Sequence, residues 1–444
     1  MRIVIAGAGE VGTHLAKMLS DEEQDIIVID TNTEKLANLE NYNLMTYPGN
    51  AVSFDVLKAV KVGQADLFIG VMPYEARNLL ACKMAKDLGV KKTVARIENA
   101  EFQSLANLPF CQSLGISDLI YPEYLAAKEM SMALKNTWAR NWFELFNGEL
   151  IVVGVKVREN AQIVGHQLSD VSIVSTSLHV CAIKRNNELI IPRGDDRLLA
   201  NDIAYIATTR EHIDEVARVC GKKKIEVDHV MIMGGNDIAL QLARRIGEDV
   251  HMKIIENDPV RSQELANLLP DCQIVNGDVR DTDLLEEEGI SDYDVFVALT
   301  DNSAYNIVAC MMAKAHGVPK TIAEVEDIQY INEAESLNIG TIVNKKLLAS
   351  SRIFQIMLDS DDTNAKCLAL SDAEVAEVLV KPDSKVTRKP VKDLNIPREI
   401  TIAGLVRDGA GHLVTGATQL MAGDHVVVFC KSGSIHTVEK LFNK

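Results

Sequence analysis

Short apolar runs bounded by turns alternate with amphipathic stretches through the first 122 residues. The runs read as buried strands near 2–6, 26–30, 44–47, 67–71, 92–96 and 118–121. Between them a 3.6-residue periodicity predicts helices near 11–20, 33–41, 53–60, 75–88 and 101–108. Strands and helices in alternation make a parallel sheet covered on both faces. An amphipathic helix follows at 123–137, with LAAKEMSMAL at its centre, and by pattern alone it can pack on its own unit or leave to dock on a neighbour. The pattern then changes. Strands at 149–157, 178–184 and 203–208, a short helix within Asn160 to Val171 and a closing helix predict a small α+β domain.

The whole arrangement then recurs, and the recurrence sets the fold class. VIAGAGEVGTHLA (Val4 to Ala16) returns as IMGGNDIALQLA (Ile232 to Ala243), and NLLACKMAK (Asn78 to Lys86) as NIVACMMAK (Asn306 to Lys314), a shift of 306 − 78 = 228. Gly49-Asn50 pairs with Gly277-Asp278, and Ala95-Arg96-Ile97-Glu98 with Ala323-Glu324-Val325-Glu326. The small domain repeats as well, with strands at 375–381, 400–406 and 425–430. The expected class is α/β, a tandem duplication of a Rossmann-like doubly wound parallel sheet followed by a small α+β domain. The expected boundaries are 1–122, 123–137 and 138–224 for the first sheet, its trailing helix and small domain, then 228–344, 345–360 and 361–444. Gly221-Lys222-Lys223-Lys224 reads as the linker between halves, without a binding role.

The first strand runs into Gly7-Ala8-Gly9-Glu10-Val11-Gly12, a G-x-G-x-x-G, and then into a helix with Val11, Leu15, Met18 and Leu19 on one face. The next strand ends at Asp30, 30 − 12 = 18 positions beyond the last glycine. This combination points to a dinucleotide or adenine nucleotide. Gly7 permits the turn, Gly9 admits a pyrophosphate, Gly12 allows close helix packing and Asp30 can hold a ribose. The helix start offers unpaired N–H groups and the positive end of a dipole. The second copy reads Gly234-Gly235-Asn236-Asp237-Ile238-Ala239, with Asn236 in place of the second glycine and Glu256 in place of Asp30.

Composition narrows the classes. The net charge of −17 argues against nucleic acid as a partner. The eight cysteines form no C-x-x-C and read as reduced, buried thiols. The chain opens directly on a strand, so no signal peptide is expected, and no apolar run approaches a membrane span. Asp195, Asp196 and Asp202 read as a solvated acidic hairpin rather than a cation site, and Asp202 and Asp424 as braces of the strands that follow them. No metal site and no catalytic set is expected. His14, His166, His179 and His212 join no constellation that would serve a nicotinamide-dependent oxidoreductase, which is the rival reading.

The duplicated Rossmann unit, the acid after its second strand and the Gly-Asn or Gly-Asp pairs at 49–50 and 277–278 resemble tandem RCK domains, each a KTN lobe and a C-terminal lobe. Proteins of this kind are the cytosolic nucleotide-binding subunits of Trk-type potassium-uptake systems. The resemblance implies a homotetrameric ring on the inner face of the cell membrane, held there by a potassium-transporting subunit of the TrkH or TrkG kind. It implies NAD(H), ATP or ADP as regulatory ligands and no enzymatic turnover. Carried onto this chain, it implies that Gly7, Ala8, Gly9, Glu10 and Val11 face phosphates and Asp30 the ribose. Asn50 and Ala51 would lie beside the adenine and Met72-Pro73 would face the nucleotide, with Arg96 and Glu98 as weaker contacts. The second site would use Gly234, Gly235, Asn236, Asp237, Ile238, Glu256, Asp278, Val279, Thr300 and Asp301. Two departures stand out. Met72 replaces a threonine that could donate to a phosphate, and Asn236 crowds the second glycine loop. A scaffold with inactive nucleotide sites therefore stays open beside the regulator and the oxidoreductase.

Overall fold

The computed structural model describes residues 1–20, 24–173, 177–186, 188–247, 249–358, 366–369, 373–431 and 434–442. The chain begins with β1 (Arg2–Ala6), α1 (Glu10–Ser20), β2 (Asp25–Asp30), α2 (Thr33–Ala37), β3 (Met45–Pro48) and α3 (Phe54–Ala59). It continues with β4 (Leu67–Gly70), α4 (Glu75–Asp87), β5 (Lys92–Arg96), α5 (Leu108–Ser113), β6 (Asp118–Ile120) and α6 (Pro122–Lys135). The small domain holds β7 (Asn141–Leu145), β8 (Leu150–Lys156), β9 (His179–Arg185), β10 (Glu188–Ile190), β11 (Ile203–Thr208) and α7 (Ile213–Val219).

The second copy runs β12 (His229–Met233), α8 (Asp237–Ile246), β13 (His251–Glu256), α9 (Pro259–Leu268), β14 (Gln273–Asn276) and α10 (Thr282–Glu287). Then come β15 (Val295–Ala298), α11 (Ser303–Ala315), β16 (Lys320–Glu324), α12 (Ile331–Ser336), β17 (Thr341–Val343) and α13 (Lys345–Leu358). The chain closes with β18 (Lys366–Ala369), β19 (Ala373–Leu379), β20 (Ile400–Arg407), β21 (Ala410–Leu413), β22 (His425–Lys431) and α14 (Ile435–Phe442).

The first parallel sheet has the order β3-β2-β1-β4-β5-β6, and the second β14-β13-β12-β15-β16-β17. The strand order reverses between β1 and β4, and again between β12 and β15, so each sheet has a crevice at the C-terminal ends of its strands. The strands are near-continuous apolar runs because helices cover both faces. Phe68 and Phe296 stand at equivalent places and are wholly buried, each contributing about 1.5–3 kcal/mol through burial. Cys82 and Cys310 are buried in the same register, and desolvation pushes both thiols up to about 12, as expected of inert core cysteines.

The small domains are antiparallel. The first has the order β10-β9-β11-β8-β7, and in the second β22 lies between β19 and β20. β7 has no counterpart among the expected strands. Its sequence, NWFEL, is too short to show alternation, and its pairing with β8 makes it a strand. The helix expected at 101–108 is displaced: Ala100–Gln103 forms a 3-10 turn, and α5 begins later, with a proline in its first turn. α2 is likewise shorter than 33–41.

The chain divides into two compact units, Met1–Leu125 with Lys345–Ser371, and Ala126–Asn344 with Asp372–Lys444. In the first, α13 packs against α1 although it follows the second sheet in sequence. Lys346 pairs with Glu10, Lys345 Nζ lies 3.6 Å from Glu123 Oε1, and Lys92 Nζ donates to Ile356 O at 3.5 Å.

Candidate nucleotide site

The loops after β1, β2, β3, β4 and β5 lie at one edge of the first sheet because its strands are parallel. That places Gly7 to Val11, Asp30, Asn50-Ala51, Met72-Pro73 and Arg96 to Glu98 around one crevice. Gly7 turns with φ +114°, and a Cβ there would lie 2.9 Å from Met72 N. A Cβ on Gly12 would sit 1.9 Å from Gly7 O, so this position brings helix and loop together. Gly9 differs: nothing lies within 4 Å of where its Cβ would be. It borders a cradle that a side chain would fill. Among the described residues, no side chain accepts from the N–H groups of Gly9, Glu10 or Val11. These donors at the start of α1 suit a phosphate.

Asp30 has a role beyond the expected ribose contact. Its Oδ2 accepts from Ala8 N at 2.6 Å and its Oδ1 from Asn32 N at 2.8 Å, so it braces the glycine loop. Each oxygen keeps a further lone pair for a ribose hydroxyl. Asn50 is exposed and accepts from Val52 N at 3.0 Å. The Ala51 side chain belongs to the core, at 3% exposure, so only its backbone can meet a ligand. Arg96 NH2 lies 3.2 Å from Glu98 Oε1, and its Nε is buried without a hydrogen-bond partner in the described structure. Burial pushes the Glu98 carboxyl up, with Arg96 opposing and Glu123 and Glu75 adding to the rise.

The second crevice repeats the backbone, but a side chain caps the start of its helix. Gly235 N donates to Glu256 Oε2 at 2.6 Å and Asp258 N to Oε1 at 2.7 Å, which reproduces the brace with a longer, buried side chain. Asn236 caps α8: its Oδ1 accepts from Ile238 N at 3.0 Å and Ala239 N at 3.2 Å, and its Nδ2 donates to Leu299 O at 2.8 Å. Of the counterparts of the Gly9, Glu10 and Val11 N–H groups, the cap thus takes that of Ile238, and the Asn236 side chain lies where the first loop has an open cradle. Arg261 crosses the loop, donating to Gly235 O at 2.8 Å and pairing with Asp237 at 2.7 Å. Arg280 grips Asp278 at 3.0 and 2.9 Å and holds its carboxyl down at about 2. Ile238 and Val279 are buried, Asp301 is exposed, and the Thr300 hydroxyl donates to Asn306 Oδ1 at 2.6 Å. Asn236→Gly is expected to cost about 1 kcal/mol of stability while adding a second nucleotide per chain in calorimetric titration. An unchanged stoichiometry would show that the cap is not what closes this crevice.

Reading the sequence for ligand contacts passes over Asn78 and Asn306. Asn78, 1% exposed, accepts from Met72 N at 2.8 Å and donates to Met72 O and Arg96 O, both at 3.0 Å. Asn306 ties Thr300 to Glu324 O in the same way. Each locks the loop after the fourth strand to the end of the fifth. The clue was present: an asparagine held at the same register in both repeats, on a helix face that is otherwise apolar.

Asp202 and Asp424 are structural. Asp202 accepts from Arg185 at 2.9 and 2.7 Å and from Leu199 N at 2.8 Å, and Asp424 makes the equivalent bonds with Arg407 and Met421 N. Among the described residues no group of three or more His, Cys, Asp or Glu could hold a metal ion.

Comparison with known proteins agrees with this architecture. Residues 3–122 and 230–345 match the TrkA-N domain, and residues 152–221 and 375–443 match the TrkA-C domain. The chain is 30% identical to the Trk system potassium uptake protein TrkA of Haemophilus influenzae, over 100% of this chain and 98% of that protein. It is 29% identical to TrkA homolog 2 of Methanosarcina mazei, over 100% of both. The fold is similar to that of the GsuK channel bound to NAD, with a TM-score of 0.61 at 14% identity, covering 99% of this chain and 78% of that one. With both domain types matched twice in alternation along nearly its whole length, the chain belongs to the TrkA family.

Proposed function

We propose that this chain is a nucleotide-binding regulatory subunit of a membrane potassium-uptake transporter. NAD(H) or an adenine nucleotide in the first crevice serves as a signal and is not consumed. The observation that carries the reading is the first glycine loop, with its open cradle at Gly9 and, at the start of α1, N–H groups that no side chain among the described residues accepts. The family supplies the context: the relatives are named for potassium uptake, and the channel of similar fold binds NAD.

In the bound state Gly9, Glu10 and Val11 hold phosphate oxygens, Asp30 orients the ribose and Asn50 borders the base. Asn78 keeps the Met72-Pro73 loop at a fixed height over the crevice. The second crevice, capped by Asn236, has a mainly structural part. Regulation requires that nucleotide bind two conformations of the assembly with different affinity, since equal affinity would shift nothing. Self-association into a homotetrameric ring is supported by exposed apolar positions at the same register of both repeats, Leu80 on α4 and Val308 on α11. None of the described helices is long and apolar enough to cross a membrane. The potassium-uptake context of the relatives supports a place on the cytoplasmic face through a TrkH- or TrkG-like partner.

The test is potassium flux through vesicles containing the membrane subunit, with this chain added, with and without NADH, ATP or ADP. Flux is expected to change with nucleotide for the wild type and to stop responding in Asp30→Ala. Hydride transfer from NADH to any substrate, or flux indifferent to every nucleotide, would overturn the proposal.

A further inference from the structure

The second compact unit contains a cavity of about 540 Å³ at the edge of the second sheet opposite the glycine loop. Its wall is formed by the segment after α6, the end of β8, the 222–225 segment, the end of α11, and the starts of β16 and β17. Among the described lining residues are seven cationic side chains and one acidic one, Glu159. In a chain with 63 acidic and 46 basic residues, such a concentration runs against composition.

Neutral acceptors hold three of these cations in place. Lys320, 6% exposed, donates to Ala139 O and to Thr341 Oγ1, both at 2.8 Å. An ammonium has a third N–H for a ligand. Arg140 donates to Asn338 Oδ1 at 2.6 Å, and Lys314 donates to Asn338 O. Lys156 and Lys222 complete the ring, and the exposed Arg158 and Lys223 flank its mouth. The carboxylate of Glu335, which acts on Arg140, is taken by Lys184 at 2.7 Å. Burial first, and the neighbouring cations second, push Lys320 down to about 7 and Lys222 down to about 8. The cluster therefore stands under repulsion that a bound anion would relieve.

We infer that this cavity is a second ligand site, separate from the Rossmann crevices, for a small molecule bearing two or more contiguous phosphates. The volume suits a nucleotide-sized ligand, and several cations around one enclosed space match a polyphosphate better than a single phosphate. Because it joins the first small domain to the second sheet, an occupant would tie Lys156 and Lys222 to Lys314 and Lys320. The basic run Lys222 to Lys224, which reads from sequence as a plain linker, contributes Lys222 and Lys223 to the wall.

The test is calorimetric titration of the full chain with sodium tripolyphosphate, then with ATP, in saturating NADH so that the first crevice is occupied, with sodium sulfate as control. Tripolyphosphate is expected to bind, sulfate to bind far more weakly, and affinity to fall with added salt. Lys222→Gln/Lys223→Gln is expected to weaken tripolyphosphate by at least about tenfold and to leave NADH titration unchanged. A binding signal from ATP in NADH-saturated protein that is lost in the same variant supports the nucleotide-borne form of the ligand. The unliganded variant is expected to melt no lower than wild type, since repulsion is removed, so loss of binding will not reflect unfolding. Because the readout is tripolyphosphate itself, failure of NADH to bind would count against the regulatory reading alone. Absence of tripolyphosphate binding to the wild type, or equal affinity in the variant, would overturn the assignment.

Discussion

Gly9→Leu is expected to leave the melting temperature close to that of the wild type and to lower nucleotide affinity at the first crevice by about 100-fold or more, some 2.7 kcal/mol. Gly9 has nothing within 4 Å of a Cβ and is not among the positive-φ glycines. A side chain there meets neither packing nor backbone strain, and it occupies the cradle. Gly12→Ala behaves in the opposite way. Its Cβ would lie 1.9 Å from Gly7 O and 3.2 Å from Val71 Cγ2, so α1 must move away from the loop. The cost is about 1–3 kcal/mol or more, a loss of roughly 2 °C or more in Tm, with nucleotide binding lost as well. Thermal melts and calorimetric titration of the two variants separate a glycine kept for the ligand from one kept for packing. If Gly9→Leu bound nucleotide as the wild type does, the phosphate position argued from the first loop would be wrong.

The second large effect lies far from either crevice. Asp424→Ala is expected to destabilise the protein by about 3 kcal/mol, the lower end of the range for breaking a buried pair, because Arg407 is itself 31% exposed while Asp424 is 2% exposed. Asp202→Ala should act alike through Arg185, which has the same exposure. Burial works against ionisation of Asp424, but the bonds from Arg407 and Met421 N outweigh it and hold the folded carboxyl below its ordinary value. The folded pKa is thus lower than the unfolded one, near 4. The stabilisation is complete above that value and is lost as pH falls through the folded pKa. Urea melts of wild type and Asp424→Ala should therefore converge as pH is lowered from 7 towards 3. A constant gap over that interval would show that the carboxylate acts through shape alone.

The fold was legible because its signals are local and repeated. Apolar runs, helical periods and the glycine loop each depend on neighbours a few residues apart, and the 228-residue shift from Asn78 to Asn306 shows each of them twice. Elements with weak local signals were misplaced. The short α2 and the late α5 took their limits from capping and from Pro109, and β7 from pairing with β8. At the site, the positions were legible and the partners were not. Asp30 and Glu256 read as ribose contacts, and what the structure shows is that they hold the glycine loops through Ala8 N and Gly235 N. Asn236 reads as crowding the second loop by bulk, and in the structure it also accepts from two N–H groups of α8, those of Ile238 and Ala239.

By itself the sequence determined the tandem α/β architecture, the glycine loops and the inequality of the two crevices, since a missing Cβ or a substituted glycine is a property of one position. Tertiary structure alone decided that α13 packs on α1, that Asn78 and Asn306 lock their loops, and that Arg185 and Arg407 neutralise Asp202 and Asp424. It also decided that Arg140, Lys222 and Lys320 share one cavity. The physical reason is that burial and charge interaction depend on distance in space. Residues 320 − 140 = 180 positions apart have no electrostatic relation until the chain has folded around them.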